Sequence, residues 1–371
     1  MFVYTHSFCD IIKTKSQVEC FICIQKGKAA EISMATIKDV ARLSGMSVGS
    51  VSRFLNNEPL KENNEKRIQD AIDKLDYKRN VMAKGLKENK SMSIGVLIND
   101  LSDVFATSVV SALESYIEDY GYSIILCDYK SDYNRMEKKI NFLLERSIDG
   151  LVIFHAEKGT KMLHEVNQKG IPIVTIDSPI DEIMSDAVLV DNYESSKEAV
   201  KRLIGHGYKS VGLIGGQDSN YIARERKRGY IDALAESGLP IIKENIWHGS
   251  YTIDSGIKGT KELLDLGRID SLFAINYYMG LGAINELKMN NADIGRNFGY
   301  VSFDRFIFNE AITPAITAVV QPVDEMGKNA GKLLIERLKD KKDGRVSVDK
   351  KVTCNSEIFV GSSDEKTLAT F

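Results

Sequence analysis

The strongest constraint on the fold is an alternation that begins at Ser93 and continues almost to the end of the chain. Short apolar runs of strand length alternate there with longer stretches in which apolar residues recur at helical spacing. The runs are "SIGVLIN", "YSIILCD", "DGLVIFH", "IPIVTID", "AVLVDN", "SVGLIGG", "DSLFAIN", "GYVSFD", "AITAVVQ" and "SEIFVGS". This alternation predicts an α/β fold of parallel sheets covered by helices on both faces. Ligands in such folds bind beyond the carboxyl ends of the strands, so the loops that follow the strands are the first candidates for a site.

Charge divides the chain of 371 residues into two parts. Residues 34–90 hold twelve Lys and Arg against eight Asp and Glu, whereas residues 91–371 hold 33 against 41. A small basic module therefore precedes a larger acidic one, which suggests an anionic partner for the first module only. The sequence has no run of about eighteen apolar residues, so we expect no membrane span.

The cysteines indicate a reducing, cytoplasmic location and no metal site. Cys9, Cys20 and Cys23 precede Met34, and the rest of the chain has only two cysteines, Cys127 and Cys354. Cys20 and Cys23 form a C-x-x-C pair, but the five histidines are scattered and supply no partner ligands. The sequence has no phosphate-loop motif and no G-x-G-x-x-G after a strand, so we expect neither a cofactor nor enzymatic activity.

A helix-turn-helix is predicted from Thr36 onward. Thr36 can cap a first helix with Asp39 in the capping-box position, and Gly45 suits the turn that ends this helix. Ser47 can cap a second helix that buries Val51. A third helix within "ENNEKRIQDAIDKLDY" completes a three-helix core. From these residues alone, a generic helical bundle stays open as an alternative.

The stretch "ATIKDVARLSGMSVGSVSRFLNN" resembles the headpiece of the lactose-repressor and galactose-repressor family of bacterial transcription regulators. The stretch "NVMAKGLKENKSMSIGVL" is similar to that family's hinge and the entry to its effector domain, and the resemblance continues to about Ser363. It implies a headpiece at 34–78, a hinge at 79–90 with a helix that forms on DNA, and a two-lobed effector domain at 91–363 like a periplasmic binding protein. Residues 364–371 would be a tail. Residues 1–33 fall outside the family pattern, so translation is expected to begin at Met34.

The resemblance implies that the second headpiece helix reads the major groove of DNA. Val48, Gly49 and Arg53 would face base edges there, and Arg53 could donate two hydrogen bonds to a guanine. Phosphate contacts are expected from Thr36, Ser47, Ser52 and Asn56. The simpler interpretation of these four residues, as helix caps, is compatible with that role.

The hinge resembles a segment that enters the minor groove. Leu86 occupies the position of the leucine that wedges a base step apart, with Ala83 beside it. Without the resemblance, the segment would be interpreted as a plain polar linker with one exposed leucine. Arg79 stands where the family usually has proline, which removes some preorganisation of the helix start and adds a charge near the phosphates.

The resemblance divides the effector domain into two lobes. Lobe one would take about 91–191 and 321–346, and lobe two about 192–320 and 352–363. The chain would then cross between the lobes three times, the last time near 346–350. Such crossings form a hinge that can close on a ligand.

The effector contacts implied by the resemblance are Asp103, Phe105, Arg226, Tyr251, Asn276 and Asp304. Arg226 and Asp304 would grip hydroxyls or an anionic group, while Phe105 and Tyr251 would flank an apolar face of the ligand. This combination suits a sugar, and also a nucleobase. Because Arg226 and Asp304 are expected to face a solvent-filled cleft, replacing either should remove the ligand response and leave the fold intact. Tyr277 replaces the family's usual aspartate, which leaves the identity of the effector open.

The function implied is that of a transcriptional repressor whose affinity for operator DNA is controlled by a small molecule. Two headpieces on a palindromic site and paired hinge helices require two-fold symmetry, so we expect a homodimer. The ending "SSDEKTLATF" has no room for the heptad helix that joins dimers into tetramers in some family members. The alternative is a solute-binding receptor of the periplasmic type without DNA function.

Overall fold

The computed structural model describes residues 35–55, 58–77, 90–156, 160–345 and 348–366. The chain divides into two compact units between Lys84 and Gly85. The predicted DNA contacts of Asn56, Ala83 and Leu86 lie outside the described residues, as do Arg79 and residues 1–33. Within the described ranges, no helix is long and apolar enough to cross a membrane.

The first unit contains the three predicted helices. They are α1 (Ile37–Ser44), α2 (Val48–Leu55) and α3 (Glu62–Leu75). Their buried core consists of Val40, Ala41, Val51, Ile68 and Ala71, which helical spacing places on one face of each helix. The predicted helix-turn-helix with its third supporting helix is confirmed.

The second unit is built on two six-stranded sheets. In chain order the strands are β1 (Ser93–Ile98), β2 (Ser123–Asp128), β3 (Gly150–Phe154), β4 (Ile173–Ile176), β5 (Asp186–Val190), β6 (Val211–Gly215), β7 (Ile246–His248), β8 (Ser271–Ala274), β9 (Gly299–Phe303), β10 (Thr317–Val320), β11 (Lys351–Cys354) and β12 (Glu357–Phe359). The first sheet has the order β11-β5-β4-β3-β1-β2 and is parallel throughout. The second has the order β12-β10-β9-β8-β6-β7 and is parallel except for β12. The predicted α/β class is confirmed.

Helices cover both faces of each sheet. They are α4 (Val104–Glu118), α5 (Tyr133–Glu145), α6 (Lys161–Gln168), α7 (Asn192–Gly205), α8 (Tyr221–Glu236), α9 (Ile253–Asp265), α10 (Tyr277–Met289) and α11 (Val323–Asp343). On the first sheet, α4 packs with α11 on one face and α5 with α6 on the other. On the second sheet, α7 packs with α8 on one face and α9 with α10 on the other. The sheets with their helices form lobe one and lobe two.

The third crossing between the lobes corrects the sequence prediction. The chain crosses after Val190, again after Val320, and finally between Cys354 and Glu357, not near 346–350. Residues 351–354 form β11, which pairs in parallel with β5 of lobe one, so the assignment of residues 352–354 to lobe two was wrong. Only β12 joins lobe two, antiparallel to β10. β11 lies at the edge of its sheet with two of its four residues exposed, so it lacks the apolar run that marks a central strand.

The predicted boundary of the last domain is also corrected. Asp364, assigned to a tail, is fully buried. Its Oδ2 lies 2.8 Å from Arg202 Nη2 and 3.3 Å from His206 Nδ1, and its Oδ1 accepts a hydrogen bond from the Thr317 hydroxyl. Ser363 and Asp364 are therefore part of the packed interior of lobe two.

Candidate functional site

Local hydrogen bonds fix the helix-turn-helix. The Thr36 backbone N–H and hydroxyl both donate to Asp39 Oδ2, at 3.0 and 2.7 Å. Gly45 ends α1 with a φ of +66°, a left-handed conformation that glycine adopts without strain. Ser47 Oγ accepts from the Ser50 N–H at 3.1 Å at the start of α2. Thr36 and Ser47 thus act as caps, and their expected phosphate contacts remain predictions.

The residues predicted to read bases lie on the exposed face of α2. Val48 is 44% exposed, Gly49 and Arg53 are also exposed, and Ser52 is half-buried. Val51, on the opposite face, is fully buried in the core of the unit. A Cβ on Gly49 would have its nearest neighbour at 3.8 Å, so this position has open space. The exposed face of α2 therefore offers one cation and two small positions, and Arg53 has the largest capacity for direct base contact.

A cavity of about 1000 Å³ opens in the second unit beyond the carboxyl ends of the strands. Both lobes contribute to its lining, and its size is at the upper end of ordinary ligand pockets. It is lined by all six residues predicted to contact the effector: Asp103, Phe105, Arg226, Tyr251, Asn276 and Asp304. The structure therefore brings together side chains that are up to two hundred residues apart in the sequence.

Four of the lining residues also begin helices. Asp103, Asn220, Thr252 and Asn276 are the N-caps of α4, α8, α9 and α10, and each side chain accepts a hydrogen bond from an N–H in the first turn. Asp, Asn and Thr are favoured at this position because their side-chain oxygens accept hydrogen bonds from first-turn N–H groups that have no acceptor within the helix. The loops from strand to helix thereby place polar side chains around the cavity. Asp103 and Asn276 have this structural role whether or not they contact an effector.

Arg226 lines the cavity but is almost completely buried. Arg226 is only 3% exposed. Its Nε donates a hydrogen bond to Asn192 Oδ1 at 2.7 Å, and its Nη1 donates one to the Ile275 carbonyl at 2.5 Å. Its guanidinium carbon lies 3.3 Å from the centroid of the Phe303 ring. Burial lowers the pKa of Arg226, although nearby carboxylates such as Asp304 oppose this. Arg226 is therefore almost fully buried, contrary to the expectation that it faces a solvent-filled cleft, and its contacts predict a loss of stability when it is replaced.

Asp304 is held at the end of β9 by two hydrogen bonds. Its Oδ1 accepts from Gln321 Nε2 at 2.5 Å, and its Oδ2 accepts from the Tyr277 backbone N–H at 3.2 Å. Burial raises the pKa of its carboxyl group, whereas the charge of Arg226 lowers it. The Asp304 side chain thus joins the first residue of α10 to the crossing segment that follows β10.

Three lining residues that directly follow strands have a left-handed backbone. The φ angles are +52° at His155, +66° at Asp177 and +76° at Asp304, after β3, β4 and β9. This conformation is unfavourable for residues other than glycine and clusters at functional sites, where surrounding structure enforces it. Its recurrence at three strand ends around one cavity supports assigning function to that cavity.

His155 lies between two carboxylates. Its Nε2 is 3.8 Å from Asp103 Oδ2, and its Nδ1 is 3.7 Å from Asp177 Oδ2. Burial lowers the pKa of His155, but Asp103 and Asp177 outweigh burial and raise the pKa overall. Asp177 also accepts from Asn192 Nδ2 at 3.3 Å, and Asn192 in turn accepts from Arg226. A line of polar contacts therefore runs from the start of α4 in lobe one to α8 in lobe two.

The cavity lining has a surplus of hydrogen-bond acceptors. Asn99 Oδ1 and Gln321 Oε1 are buried without a partner among the described residues, and both residues line the cavity. The carboxylates of Asp103, Asp177 and Asp304 add further acceptors. The two arginines of the described lining are already bonded within the protein, Arg226 to Asn192 and the Ile275 carbonyl and Arg305 to Glu310. Such a lining is best satisfied by a ligand with several hydroxyl or amine donors and no negative charge.

Comparisons with known proteins connect both units to one family. The family described as periplasmic binding proteins and sugar binding domain of LacI family matches residues 91–356, and the family of bacterial regulatory proteins, lacI family, matches residues 36–80. The chain belongs to the lacI family of bacterial regulatory proteins. It is therefore a DNA-binding transcriptional regulator with a ligand-binding domain.

Individual relatives of the chain are also named as transcriptional regulators. The HTH-type transcriptional repressor PurR of Actinobacillus pleuropneumoniae serotype 3 (strain JL03) is 30% identical over 308 residues, which cover 82% of this chain and 92% of that protein. The HTH-type transcriptional regulator RegA of Clostridium saccharobutylicum is 31% identical over 312 residues, which cover 83% and 94%.

Two solved structures share the fold. The lac repressor dimer bound to operator and the anti-inducer ONPF matches with a TM-score of 0.77 at 21% identity, covering 89% of this chain and 99% of that one. The complex of the transcriptional regulator CelR with cellobiose matches with a TM-score of 0.68 at 23% identity and the same coverage. At these identities the likeness extends to the architecture of this lacI-family chain.

Several residues of the cavity were missed by sequence reasoning. His155, Asp177 and Gln321 are each the last residue of a predicted strand, in "DGLVIFH", "IPIVTID" and "AITAVVQ". The rule that sites lie at the carboxyl ends of parallel strands would have found them. Asn192 ends the predicted run "AVLVDN" and carried the same signal, but its contacts with Asp177 and Arg226 depend on the crossing segment lying beside both. Within the described ranges, no group of three or more His, Cys, Asp or Glu side chains could hold a metal ion.

Proposed function

We propose that the protein represses transcription by binding operator DNA through its helix-turn-helix, and that a small molecule in the cavity controls this binding. The observation that carries the proposal is the presence in one chain of an exposed α2 face with Arg53 and of a polar cavity between two lobes. The curated relative named PurR is a repressor, which supports repression as the outcome. A solute receptor without DNA function would not need the segment that matches the lacI family at 36–80.

The effector we propose is an uncharged, polyhydroxylated molecule, with a sugar as the first candidate. Unpartnered acceptors at Asn99 and Gln321 and the carboxylate of Asp304 would accept its hydroxyl protons. Phe105 and Tyr251 supply aromatic surface for the apolar face of a sugar ring. A nucleobase is the second candidate, because it too combines a flat face with donors. The CelR complex contains cellobiose, which makes disaccharides part of the first panel to test.

We further propose that the protein acts in the cytoplasm as a homodimer. A palindromic operator presents two half-sites related by two-fold symmetry, and two copies of α2 are needed to read them. The lac repressor structure with the same fold is a dimer on its operator. Electrophoretic mobility shifts on DNA upstream of the protein's own gene, repeated with a panel of sugars and nucleobases, test binding and effector control together. Absence of a shifted band on that DNA and on a random operator library would contradict the proposal.

Replacing Arg53 with alanine is expected to weaken operator binding by about 1–3 kcal/mol and to flatten base preference at one position. The reason is that Arg53 is the exposed cation of α2 and can bond a guanine with two N–H groups. Arg53→Lys is the matched control, because it keeps the charge but cannot reproduce the planar pair of donors. Binding of a library of operator variants measures both quantities. If Arg53→Ala weakened binding but left the base preference unchanged, Arg53 would be a phosphate contact only.

Replacing Asp304 with asparagine is expected to raise the effector concentration needed for half-maximal response by roughly 10- to 150-fold, because the effector would lose a hydrogen bond to a charged acceptor. The change keeps the size of the side chain, and an amide oxygen can still accept from the Tyr277 N–H. Asp265→Asn, at an exposed position of α9 that is not among the lining residues, should leave the response unchanged. Operator release measured against effector concentration gives both midpoints. Equal midpoints for the Asp304 variant and the unmodified protein would remove Asp304 from the site.

A further inference from the structure

The two lobes touch at the cleft through Tyr278. Its hydroxyl, from the first turn of α10 in lobe two, donates a hydrogen bond to the backbone carbonyl of Ser102, in the loop after β1 of lobe one. Both residues line the cavity, and neither belongs to one of the three crossing segments. This contact therefore ties the lobes together independently of the chain connections between them.

The lobe-two end of the contact is held by local structure. Asn276 caps α10, and its Oδ1 accepts from the Tyr278 N–H at 3.0 Å. The Tyr278 ring packs edge-on against Tyr277, with centroids 5.3 Å apart, and Tyr277 packs in the same manner against Phe306 at 5.3 Å. Phe306 is buried, so this row of rings connects Tyr278 to the core of lobe two and limits its rotation.

The lobe-one end of the contact is equally well ordered. The Ser102 N–H and hydroxyl both donate to Asp100 Oδ1, at 2.8 and 2.7 Å, which closes a tight turn after β1. Asp100 Oδ2 is in turn bound by Lys130 Nζ at 2.7 Å. The Ser102 carbonyl is therefore presented in one orientation, and a hydrogen bond to it loses little conformational freedom when it forms.

The Tyr278 hydroxyl is suited to act as a donor. Burial and the nearby negative charge of Asp103 raise the pKa of Tyr278, so its proton is retained at neutral pH. A phenylalanine at this position would keep the ring packing and lose only the hydrogen bond. Tyr277 is the matched neighbour, since its ring packs in the same row and no hydrogen bond of its hydroxyl is found among the described residues.

We propose that Tyr278 is a positioning residue that holds the lobes closed over the cavity and thereby sets how readily an effector enters and leaves. This inference rests on the proposed effector site for its biological meaning. The closure itself is a property of the ligand-free chain. With Tyr278 in this role, the equilibrium between open and closed lobes depends on one hydrogen bond across the cleft. A change at this hydrogen bond would therefore shift the rates at which an effector enters and leaves the cavity.

Closure can be tested with the full-length protein in the absence of effector and DNA. Spin labels carried on a non-natural amino acid at Lys138 of α5 and Lys261 of α9, both exposed, report the distance between the lobes by double electron–electron resonance. An excess of unlabelled protein keeps the measured distances within one chain. Tyr278→Phe is expected to change the ratio of closed to open molecules by about 2- to 10-fold, the effect of one net hydrogen bond. Tyr277→Phe should give the same distance distribution as the unmodified protein.

Two results would overturn the proposal: an unchanged distribution in Tyr278→Phe, or an equal shift in Tyr277→Phe. Thermal unfolding of each variant checks that the fold is intact, and both should unfold within about 5 °C of the unmodified protein. The distance measurement uses no effector, so failure of every sugar and nucleobase to release operator would refute the proposed effector class and leave this result unaffected.

Discussion

Replacing Arg226 with alanine is expected to lower the free energy of unfolding of the second unit by about 3 kcal/mol and to abolish the effector response. The guanidinium is almost fully buried, donates to Asn192 and to the Ile275 carbonyl, and stacks on Phe303. Removing it leaves two buried acceptors without donors and a cavity over an aromatic ring. Because Asn192 also contacts Asp177 of lobe one, the loss extends to the contact between the lobes.

Urea unfolding of the Arg226→Ala variant, followed by far-UV circular dichroism, measures the loss of stability. Arg228→Ala is the control on the same helix, because Arg228 is exposed and pairs with Glu225 one turn away. Its effect should stay within about 0.5 kcal/mol. If the Arg226→Ala variant were as stable as the Arg228→Ala control, the buried hydrogen bonds of Arg226 would contribute nothing to the free energy of unfolding. Comparison with Asp304→Asn separates lost stability from lost effector contact, since that change is expected to act mainly on binding.

Replacing Asp364 with alanine is expected to have a comparable or larger effect, about 3–5 kcal/mol of unfolding free energy. The carboxylate is fully buried, pairs with Arg202, lies beside His206 and accepts from the Thr317 hydroxyl. Deleting it leaves the Arg202 charge partly buried without its partner and removes the link between α7 and β10. Lobe two would then lose the contacts that hold the chain end against its sheet.

Thermal and urea unfolding of the Asp364→Ala variant test this expectation. Glu365→Ala provides the control, because the Glu365 side chain is exposed and only its backbone carbonyl makes a contact, with the Tyr208 hydroxyl. If the two variants lost equal stability, the loss would come from disturbing the chain end in general and not from the buried carboxylate. An unchanged midpoint for Asp364→Ala would show that the buried carboxylate does not stabilise the fold.

The amino-acid sequence determined the architecture through features that act locally. Alternating apolar runs and amphipathic segments specify parallel strands covered by helices, since only that arrangement buries both faces of each strand. Capping residues such as Thr36 and Asn276 specify where helices begin, because their side chains satisfy backbone donors in the first turn. The strand signals also placed the cavity, since the carboxyl ends of parallel strands meet at one edge, but the individual contact residues came from the family resemblance.

The tertiary structure alone decided how the predicted residues are used. Arg226 could be predicted as a cleft residue, but its burial depends on Asn192 and Ile275, which are distant in sequence and approach it only when the lobes form. The short edge strand β11 and the buried Asp364 were misassigned for the same reason. Their environments are created by neighbours more than a hundred residues away, and no local periodicity or propensity carries that information.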